Sequence, residues 1–525
     1  MPTVRDATFA VLRRLGLTTI FSNPGSTEVP LLAGLPEEFR FILALHEGSV
    51  VSLAAGHALG TGQPALVLLH STPGLGNGVA AIATARLNRV PLVVVVGQQD
   101  RRHLAQDPFL AGKLHGLAGE YPVFEEQPAR AADVPGAIVR AHHAAVTARG
   151  PALVIVPMDD WSAEGPEPHE ILGPRRLLRS AAADPEAVRA LADFLGERPA
   201  IIAGAGADSP AGWAALSALA ERLAAPVFQE PFGPAAGFPQ DHPWFAGHAP
   251  ARRERLRQVL APFDTVLVVG TGALRQYPYD SGPLCEAALA VVTDDPEEAQ
   301  RSPAALAVLG DPAAVCAALA HAVPQRTGEP PRFERPPAPP PGEPLFPGHV
   351  LAALADRLPR DAVLVEETPS SRPELHARIP ATAPGGFVSA MGMLGFALPA
   401  AIGLRLAQPE RPVVAVVGDG SSLYQIQALW SAVTYEAGVL FVVLRNGGYA
   451  IMDRLAERAG ASGPWPALDG IDLAALAHAQ GCDAWRITTH EELLAALDKT
   501  LPTLRERRTP LLLEVAVAQN EGFDL

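Results

Sequence analysis

Residues Val413 to Ser422 read VVAVVGDGSS, an unbroken β-branched run that stops at Gly418-Asp419-Gly420 and is followed by two serines. The run has the length and residue types of an interior strand of a parallel sheet. Glycines at its end let the backbone turn sharply and approach a ligand closely. The next stretch, SLYQIQALWSAVTYEAG, has helical apolar spacing. The segment therefore predicts strand, turn and helix, with a carboxylate at the carboxyl end of the strand, where open α/β sheets bind ligands.

The same alternation runs along all 525 residues. Runs such as PALVLLH, PLVVVVG, PAIIAGAG and DTVLVVGTG alternate with alanine- and leucine-rich stretches. This pattern predicts an α/β fold of three doubly wound parallel-sheet domains, at residues 1–165, 180–325 and 345–525. Residues 326–344, which include RFERPPAPPPGEP, predict a stiff extended linker, because proline at this density continues neither a helix nor a central strand.

Composition narrows the classes of partner. A net charge of −15 at pH 7 argues against nucleic acid or an anionic membrane surface as the main partner. No apolar run approaches the ~20 residues needed to span a bilayer, and the first sixteen residues, MPTVRDATFAVLRRLG, have the pattern of an amphipathic helix rather than of a signal peptide. The three cysteines form no metal-spaced pair, which is typical of free thiols in a reduced compartment. We therefore expect a soluble, cytoplasmic protein.

A second polar residue accompanies Asp419. Asn446 lies 27 residues further on, at the end of the next apolar strand, VLFVVLRNGGYA. One strand–helix–strand crossover of that length places neighbouring strand ends side by side. Carboxylate, amide and carbonyl oxygens completed by phosphate oxygens suit Mg²⁺. We therefore predict a Mg²⁺ (or Ca²⁺) site formed by Asp419, Asn446 and Gly448; the alternative is an ordinary turn aspartate.

The Gly-Asp-Gly motif followed by Asn at this spacing resembles the diphosphate-binding motif of thiamine-diphosphate-dependent enzymes, although Arg445 stands where that family has a first asparagine. Two longer stretches, FSNPGSTEVPLLAGLPEEFRFILALHEGS and MGMLGFALPAAIGLRLAQPERPVVAVVGDGS, are similar to the benzoylformate decarboxylase branch of this family. The resemblance is almost collinear in both outer thirds and looser in the middle. It implies an N-terminal pyrimidine-binding domain, a middle Rossmann-like domain and a C-terminal diphosphate- and Mg²⁺-binding domain, with thiamine diphosphate as cofactor.

The resemblance also implies the residues that hold this cofactor. Glu47 in LHEGS, expected at the end of a buried strand, matches the glutamate that bonds the aminopyrimidine ring; the alternative is an ordinary helix N-terminal glutamate. Leu394 takes the place of the bulky residue that bends the cofactor. Gly392 takes the place of the residue whose carbonyl accepts a hydrogen bond from the amino group of the cofactor. The implied cofactor-binding residues are Asn23, Pro24, Gly25, Glu47, Ser370, Gly392, Leu394, Gly418, Asp419, Gly420, Ser421, Asn446, Gly448 and Tyr449.

On the substrate side, the resemblance implies four catalytic residues, Glu47, His70, Ser26 and Tyr277. Ser26 matches a contact to the substrate carboxylate, with a helix N-cap as the alternative. His70 matches a histidine that moves protons. Tyr277 stands where the decarboxylases have a second histidine, a difference that bears on the choice of substrate. The implied substrate pocket comprises Ser26, His70, Leu110, Ile451 and Leu455.

These residues predict decarboxylation of a small, benzoylformate-like 2-oxo acid to an aldehyde and CO₂. One alternative is a carboligase or acetolactate-synthase-like enzyme, which a flavin site would favour; GAGAD, residues 204–208, is only a weak dinucleotide motif. Another is a non-catalytic scaffold, against which Glu47, His70 and Asp419 argue. Relatives pair their outer domains across subunits, which implies a homodimer or homotetramer with active sites at the subunit interface.

Overall fold

The protein is described here by a computed structural model that covers residues 2–174, 176–178 and 180–519. Three six-stranded sheets, in which all the pairings between neighbouring strands are parallel, follow one another along the chain. Helices connect the strands. The prediction of an α/β fold with three doubly wound parallel sheets is confirmed.

The first sheet has the strand order β2-β1-β3-β4-β6-β5. Its strands are β1 (Thr19–Asn23), β2 (Arg40–Leu43), β3 (Ala65–His70), β4 (Leu92–Gln98), β5 (Phe124–Glu126) and β6 (Pro151–Pro157). Its helices are α1 (Val4–Leu15), α2 (Val29–Leu32), α3 (Glu47–Thr61), α4 (Ser71–Leu87) and α5 (Val134–Ala148). The chain order reverses between β1 and β3, so a crevice forms at the carboxyl ends of these two strands.

The second sheet has the order β12-β11-β10-β7-β8-β9, which reverses between β7 and β10. Its strands are β7 (Pro199–Ala203), β8 (Val227–Gln229), β9 (Phe245–His248), β10 (Thr265–Val269), β11 (Ala288–Thr293) and β12 (Leu306–Leu309). Its helices are α6 (Pro185–Phe194), α7 (Pro210–Leu223), α8 (Arg253–Leu260), α9 (Pro296–Arg301) and α10 (Pro312–Ala322).

The third sheet has the order β14-β13-β15-β16-β18-β17 and reverses between β13 and β15. Its strands are β13 (Val363–Glu367), β14 (Phe387–Ser389), β15 (Val413–Gly418), β16 (Leu440–Arg445), β17 (Asp483–Ile487) and β18 (Leu511–Ala516). Its helices are α11 (Pro347–Ala355), α12 (Arg372–Arg378), α13 (Ala397–Ala407), α14 (Asp419–Leu423), α15 (Ala428–Thr434), α16 (Ala450–Arg458), α17 (Leu473–Ala479) and α18 (His490–Thr500).

The helix predicted after Asp419 is interrupted. It forms two short helices, α14 and α15, separated by residues 424–427. Gln425 lies in this break, and its side chain is bound by the first third of the chain, because Ser49 donates its hydroxyl to Oε1 of Gln425 at 2.5 Å. A tertiary contact therefore accompanies the interruption of a helix that the local apolar spacing favours.

The first and third sheets are joined through the close packing of α3 on α13. Any side chain at Gly56 would clash with the carbonyl of Ala400, and one at Gly403 would clash with the carbonyl of Leu53. Glycine at these two positions lets the helix backbones touch. Nearly all of α3 is buried as a result, which explains why it is apolar on every side rather than amphipathic.

The proline-rich segment, residues 326–344, contains no helix or strand and lies against both sheets that it connects. Arg335 donates hydrogen bonds to the carbonyls of Gln240 at 2.9 Å and Ala377 at 3.0 Å. Phe333 packs edge-on against Phe245. The domain boundaries given above stay predictions. Among the helices of the described residues, none combines the length and apolar character that crossing a bilayer requires.

Candidate active site

Glu47 is buried between two asparagine side chains. It begins α3, and 7% of its surface is exposed. Asn23, which ends β1, donates an Nδ2 hydrogen to Oε1 at 3.1 Å, and Asn77 of α4 donates one to Oε2 at 3.0 Å. The expected position at a strand end is wrong, because β2 ends earlier, at Leu43, and Glu47 opens a helix. Each oxygen of the Glu47 side chain therefore accepts one amide hydrogen bond, which fixes the orientation of the carboxyl group.

His70 ends β3 and is held on one side by Glu28. Its Nδ1 lies 3.0 Å from Oε2 of Glu28 and 2.9 Å from Oγ1 of Thr27. The Glu28 carboxylate is buried and also accepts the backbone N–H of Gly25 at 2.8 Å. Glycine is required at position 25 because any side chain would clash with the His70 ring. With Nδ1 engaged, Nε2 is the nitrogen that can exchange a proton with a substrate.

The remaining predicted residues of this group lie in turns beside His70. Pro24 and Ser26 are exposed between β1 and α2. The alternative that Ser26 caps a helix is wrong, because Glu28 occupies the N-cap position of α2. Leu110 is half-buried with φ of +65°, and its carbonyl accepts the hydroxyl of Ser71, the residue after His70, at 2.8 Å.

Asp419 lies at the equivalent edge of the third sheet and is 5% exposed. Its Oδ1 accepts the N–H of Gly420 at 2.8 Å, and its Oδ2 accepts the N–H of Gly447 at 2.7 Å. Burial raises the pKa of Asp419, against the effect of these N–H groups and of Arg445. Arg445 is itself paired with Glu514 at 3.2 Å. A buried carboxylate held mainly by backbone groups favours a bound cation.

The Asn446–Gly448 turn meets Asp419 through Gly447, whose φ of +71° favours glycine. Oδ1 of Asn446 accepts the N–H of Gly448 at 3.0 Å. Within the described residues, no cluster of three or more His, Cys, Asp or Glu side chains could hold a metal ion. A cation at this turn would therefore depend on amide, carbonyl and ligand oxygens as well as on Asp419. That donor set fits Mg²⁺, which usually binds one or two carboxylates together with phosphate oxygens.

The other predicted cofactor residues of the third sheet surround this turn. Ser370 shares a small cavity with Asn446. Gly392, with φ of +93°, and half-buried Leu394 lie in the turn between β14 and α13, and a Cβ at position 392 would meet no atom within 4 Å, so this turn leaves space for a ligand. Gly418 ends β15, Gly420 and Ser421 lie in the first turn of α14, and Tyr449 immediately precedes α16.

A cavity of about 760 Å³ lies between the second and third sheets and contains the predicted wall residues. Tyr277, Ile451 and Leu455 line it together with Gly392. Tyr277 is 46% exposed. Ser26, His70 and Leu110 do not line this cavity, so the structure divides the predicted substrate pocket between two places.

The two groups of predicted residues lie on different sheets of the chain. One group, around Glu47 and His70, lies at the reversal point of the first sheet, and the other, around Asp419, lies at that of the third. In the described part of the chain, no hydrogen bond or ion pair joins Glu47 or His70 to Asp419 or Asn446.

Sequence reasoning missed the residues that support these groups. Glu28 and Asn77 hold His70 and Glu47. Glu367 ends β13 and accepts the N–H groups of Gly395, Phe396 and Ala397 at 2.7 to 2.9 Å, which fixes the turn that carries Gly392 and Leu394. Burial raises the pKa of Glu367 to about 8 despite these donors. An acid at the end of the apolar run AVLVEE, which closes on Glu366 and Glu367, is the same signal that identified Asp419, so Glu367 was detectable.

Replacing Glu28 with glutamine is expected to lower kcat by about 10- to 100-fold, because a less well oriented His70 loses part of the roughly 10²- to 10⁴-fold that a positioned acid–base group contributes. Glutamine keeps the shape but removes the charge beside Nδ1 of His70. Steady-state kinetics at saturating cofactor measures the effect. The matched control is Glu186→Gln, at an exposed position of α6. An E28Q enzyme with wild-type kcat would show that Glu28 only stabilises the fold.

Known protein families match all three parts of the chain that carry the three sheets. Residues 2–117 match the N-terminal thiamine pyrophosphate-binding domain of thiamine pyrophosphate enzymes, residues 187–319 match the central domain, and residues 372–515 match the C-terminal thiamine pyrophosphate-binding domain. The chain belongs to the thiamine pyrophosphate enzyme family.

Within this family, the chain is similar to benzoylformate decarboxylase of Pseudomonas aeruginosa, with 38% identity over 98% of this chain and 99% of the relative. A solved structure of a 4-hydroxybenzoylformate decarboxylase of Rhodococcus jostii superimposes with a TM-score of 0.94, with 34% identity over 99% of this chain and 100% of that chain. The acetolactate synthase large subunit of Parasynechococcus marenigrum is 30% identical over 94% of this chain and 85% of its own length.

Proposed function

We propose that this protein decarboxylates a benzoylformate-like 2-oxo acid to an aldehyde and CO₂, using thiamine diphosphate and Mg²⁺ (or Ca²⁺). The similarity to benzoylformate decarboxylases over the whole chain supports the reaction class. The structural observation that carries the proposal is Glu47, a buried carboxyl group with an amide donor on each oxygen at the reversal point of a sheet.

Bound thiamine diphosphate supplies the electron sink that decarboxylation of a 2-oxo acid requires. In this proposal Glu47 would hydrogen-bond to the pyrimidine ring of the cofactor and hold or release the proton exchanged there. His70 moves protons through Nε2, since Glu28 and Thr27 hold Nδ1. Ser26 contacts the substrate carboxylate, and Tyr277 offers a phenol hydroxyl to the reacting group. Leu394 would contact the cofactor rings, and the carbonyl of Gly392 would accept a hydrogen bond from the cofactor's amino group.

Asp419, Asn446 and the carbonyl of Gly448 would hold the cation, with the diphosphate oxygens as further ligands. Removing divalent metal with EDTA is therefore expected to abolish activity, and adding Mg²⁺ with thiamine diphosphate to restore it. Fluorescence titration with the cofactor, before and after metal is returned, measures binding separately from turnover. Full cofactor affinity in metal-free buffer would contradict a metal site at Asp419.

We also propose a homodimer or homotetramer with active sites at the subunit interface; the absence, within the described residues of one chain, of a hydrogen bond or ion pair between the two groups supports it. A cytoplasmic location agrees with the three cysteines, Cys285, Cys316 and Cys482, which are buried free thiols. Mixing inactive E47Q and D419N subunits after dissociation is expected to restore about one quarter of the wild-type activity, because a mixed two-fold dimer contains one intact site. Absence of any recovery from reassembled mixtures would place both groups in a single subunit.

The first test is CO₂ release from benzoylformate, pyruvate, branched-chain and phenyl- or indole-substituted 2-oxo acids, with and without both cofactors. Cofactor-dependent release with formation of an aldehyde supports the proposal. If CO₂ is not released from any of these acids while cofactor binding is demonstrated, the proposal fails.

A carboligase or acetolactate-synthase-like reaction is the second candidate. One observation favours it: a cavity of about 740 Å³, lined by Gly206, Asp208, Gly270 and Thr271, lies where β7 and β10 end, at the reversal point of the second sheet. Flavin absorbance in the purified protein together with a condensed hydroxyketone product would support this candidate. A colourless enzyme that releases only aldehyde would exclude it.

A further inference from the structure

We propose that Glu367 is a positioning residue for the cofactor. Its carboxylate holds the turn between β14 and α13 in the shape that presents Gly392 and Leu394 to the cofactor rings. Because Glu367 is 2% exposed, it acts through this turn rather than by contact with a ligand. The inference rests on the cofactor contacts of the proposed function and adds a residue to which that function gives no role.

The turn, residues 390–396, has a backbone conformation that the chain adopts reluctantly. Gly392 and Gly395 have φ of +93° and +85°, and Met391, which carries a side chain, has φ of +56°. The left-handed region is sterically costly for a residue with a long side chain. Such a conformation persists only where the surrounding structure holds it, and residues of this kind cluster at ligand sites.

Glu367 holds the end of the turn that leads into α13. Its Oε1 accepts the N–H of Gly395 at 2.7 Å, and its Oε2 accepts those of Phe396 at 2.9 Å and Ala397 at 2.7 Å. Three successive N–H groups therefore converge on one side chain. The direction in which the chain leaves the turn is fixed as a result.

The preceding residue, Glu366, holds the other end of the turn. Its Oε2 accepts the hydroxyl of Ser389 at 2.8 Å, and the same hydroxyl oxygen accepts the N–H of Met391 at 3.4 Å. The two consecutive acids that end β13 thus fix the turn on both sides. Between these fixed ends lie Gly392 and Leu394, the residues predicted to contact the cofactor.

Glu367 is costly to the stability of the fold, whereas Glu366 is not to the same degree. Glu366 lies 3.0 Å from a guanidinium nitrogen of Arg372. Burial and the like charge of Glu366 raise the pKa of Glu367 to about 8, against the effect of its three N–H donors. An apolar side chain would fill the same space without the cost of burying a carboxylate. A costly group beside a predicted cofactor turn indicates a role in function.

Glutamine at position 367 would release this end of the turn. Its side chain has one acceptor oxygen, and its NH₂ group would face backbone N–H groups that need an acceptor. The carbonyl of Gly392 would then no longer be held in place. A hydrogen bond to a preorganised group contributes more to affinity than one to a group that must first be ordered.

The test compares, in the presence of Mg²⁺, the affinity for thiamine diphosphate with that for 4′-deaminothiamine diphosphate, which lacks the amino group. We expect wild type to bind thiamine diphosphate about five- to tenfold more tightly, because one neutral hydrogen bond contributes roughly that factor. In Glu367→Gln the ratio is expected to fall below about twofold, mainly through weaker binding of thiamine diphosphate.

Glu492→Gln is the matched control, because Glu492 likewise accepts backbone N–H groups at the start of a helix, those of Thr488 at 2.8 Å and Thr489 at 3.1 Å. This variant should keep the wild-type ratio. A purely structural role of Glu367 would lower the thermal midpoint and weaken both compounds equally, which leaves the ratio unchanged.

Met391→Gly decides the question if E367Q does not fold. Glycine adopts a φ of +56° without strain, and it loosens the same turn. The ratio is expected to fall by at least about twofold, because the added backbone freedom costs roughly that factor when the turn is ordered on binding.

Two outcomes overturn the inference: wild type does not distinguish the two compounds, or the ratio is unchanged in E367Q, or in M391G where E367Q does not fold. Failure of the proposed reaction looks different, because affinity is measured without substrate. If none of the 2-oxo acids in the wider panel releases CO₂ but the ratio falls in E367Q, the reaction is wrong and the positioning role of Glu367 stands.

Discussion

Replacing Glu47 with glutamine is expected to lower kcat by on the order of 10³-fold, within the range that a positioned acid–base group contributes. Glutamine has the same length and can keep one acceptor oxygen, so the hydrogen bond from either Asn23 or Asn77 survives, and a flip of the other amide satisfies the new NH₂ group. The variant therefore loses the ionisable proton but keeps the local structure.

The decisive measurement is kcat together with thiamine diphosphate affinity and the thermal midpoint of the holoenzyme. We expect the affinity and the midpoint to change far less than kcat, because glutamine keeps a hydrogen-bonding group for the pyrimidine ring and the diphosphate site around Asp419 is unaltered. Glu186→Gln on α6 serves as the exposed control. An E47Q variant that keeps more than about a tenth of wild-type kcat would be incompatible with an acid–base role of this size, and would leave Glu47 as an ordinary helix N-terminal glutamate.

Replacing Asp419 with asparagine is expected to weaken Mg²⁺-dependent binding of thiamine diphosphate by about 100-fold or more, because the buried charge that would bind the cation is removed. The same substitution is not expected to weaken the cofactor-free protein. Burial raises the pKa of Asp419, so the folded state disfavours its carboxylate at neutral pH, and D419N is expected to keep or raise the thermal midpoint of the apoprotein.

Thermal unfolding with and without cofactor separates these two effects. The midpoint shift produced by thiamine diphosphate and Mg²⁺ should disappear in D419N, while the apoprotein midpoint does not fall. Asp193→Asn, at an exposed position of α6, is the matched control. A D419N protein with wild-type cofactor affinity would remove Asp419 from the metal site, and a fall in its apoprotein midpoint would show that the hydrogen bonds to Gly420 and Gly447 outweigh the cost of the buried charge.

Local sequence was sufficient to predict that the chain forms parallel sheets and to place about half of their strands. The β-branched runs that end in VVG, LRN and LLH form β15, β16 and β3 as predicted, because a strand buried on both faces needs a continuous apolar stretch. Short edge strands such as β5 and β14 were not predicted, since three residues carry too little periodicity. The break between α14 and α15 was also missed, because its partner, Ser49, is distant in sequence.

The sequence by itself determined the fold class, the acids and amides at strand ends, and the family to which these motifs belong. The tertiary structure decided which residues support them: Glu28 against His70, Asn77 against Glu47 and Glu367 beneath the turn that carries Gly392. It also decided that no hydrogen bond or ion pair joins the two groups within the described residues of one chain, and that the cavity beside Tyr277 is lined by arginines. The physical reason is that periodicity is a local property of the chain, whereas hydrogen bonds, burial and the charge of a cavity depend on segments that meet only after folding.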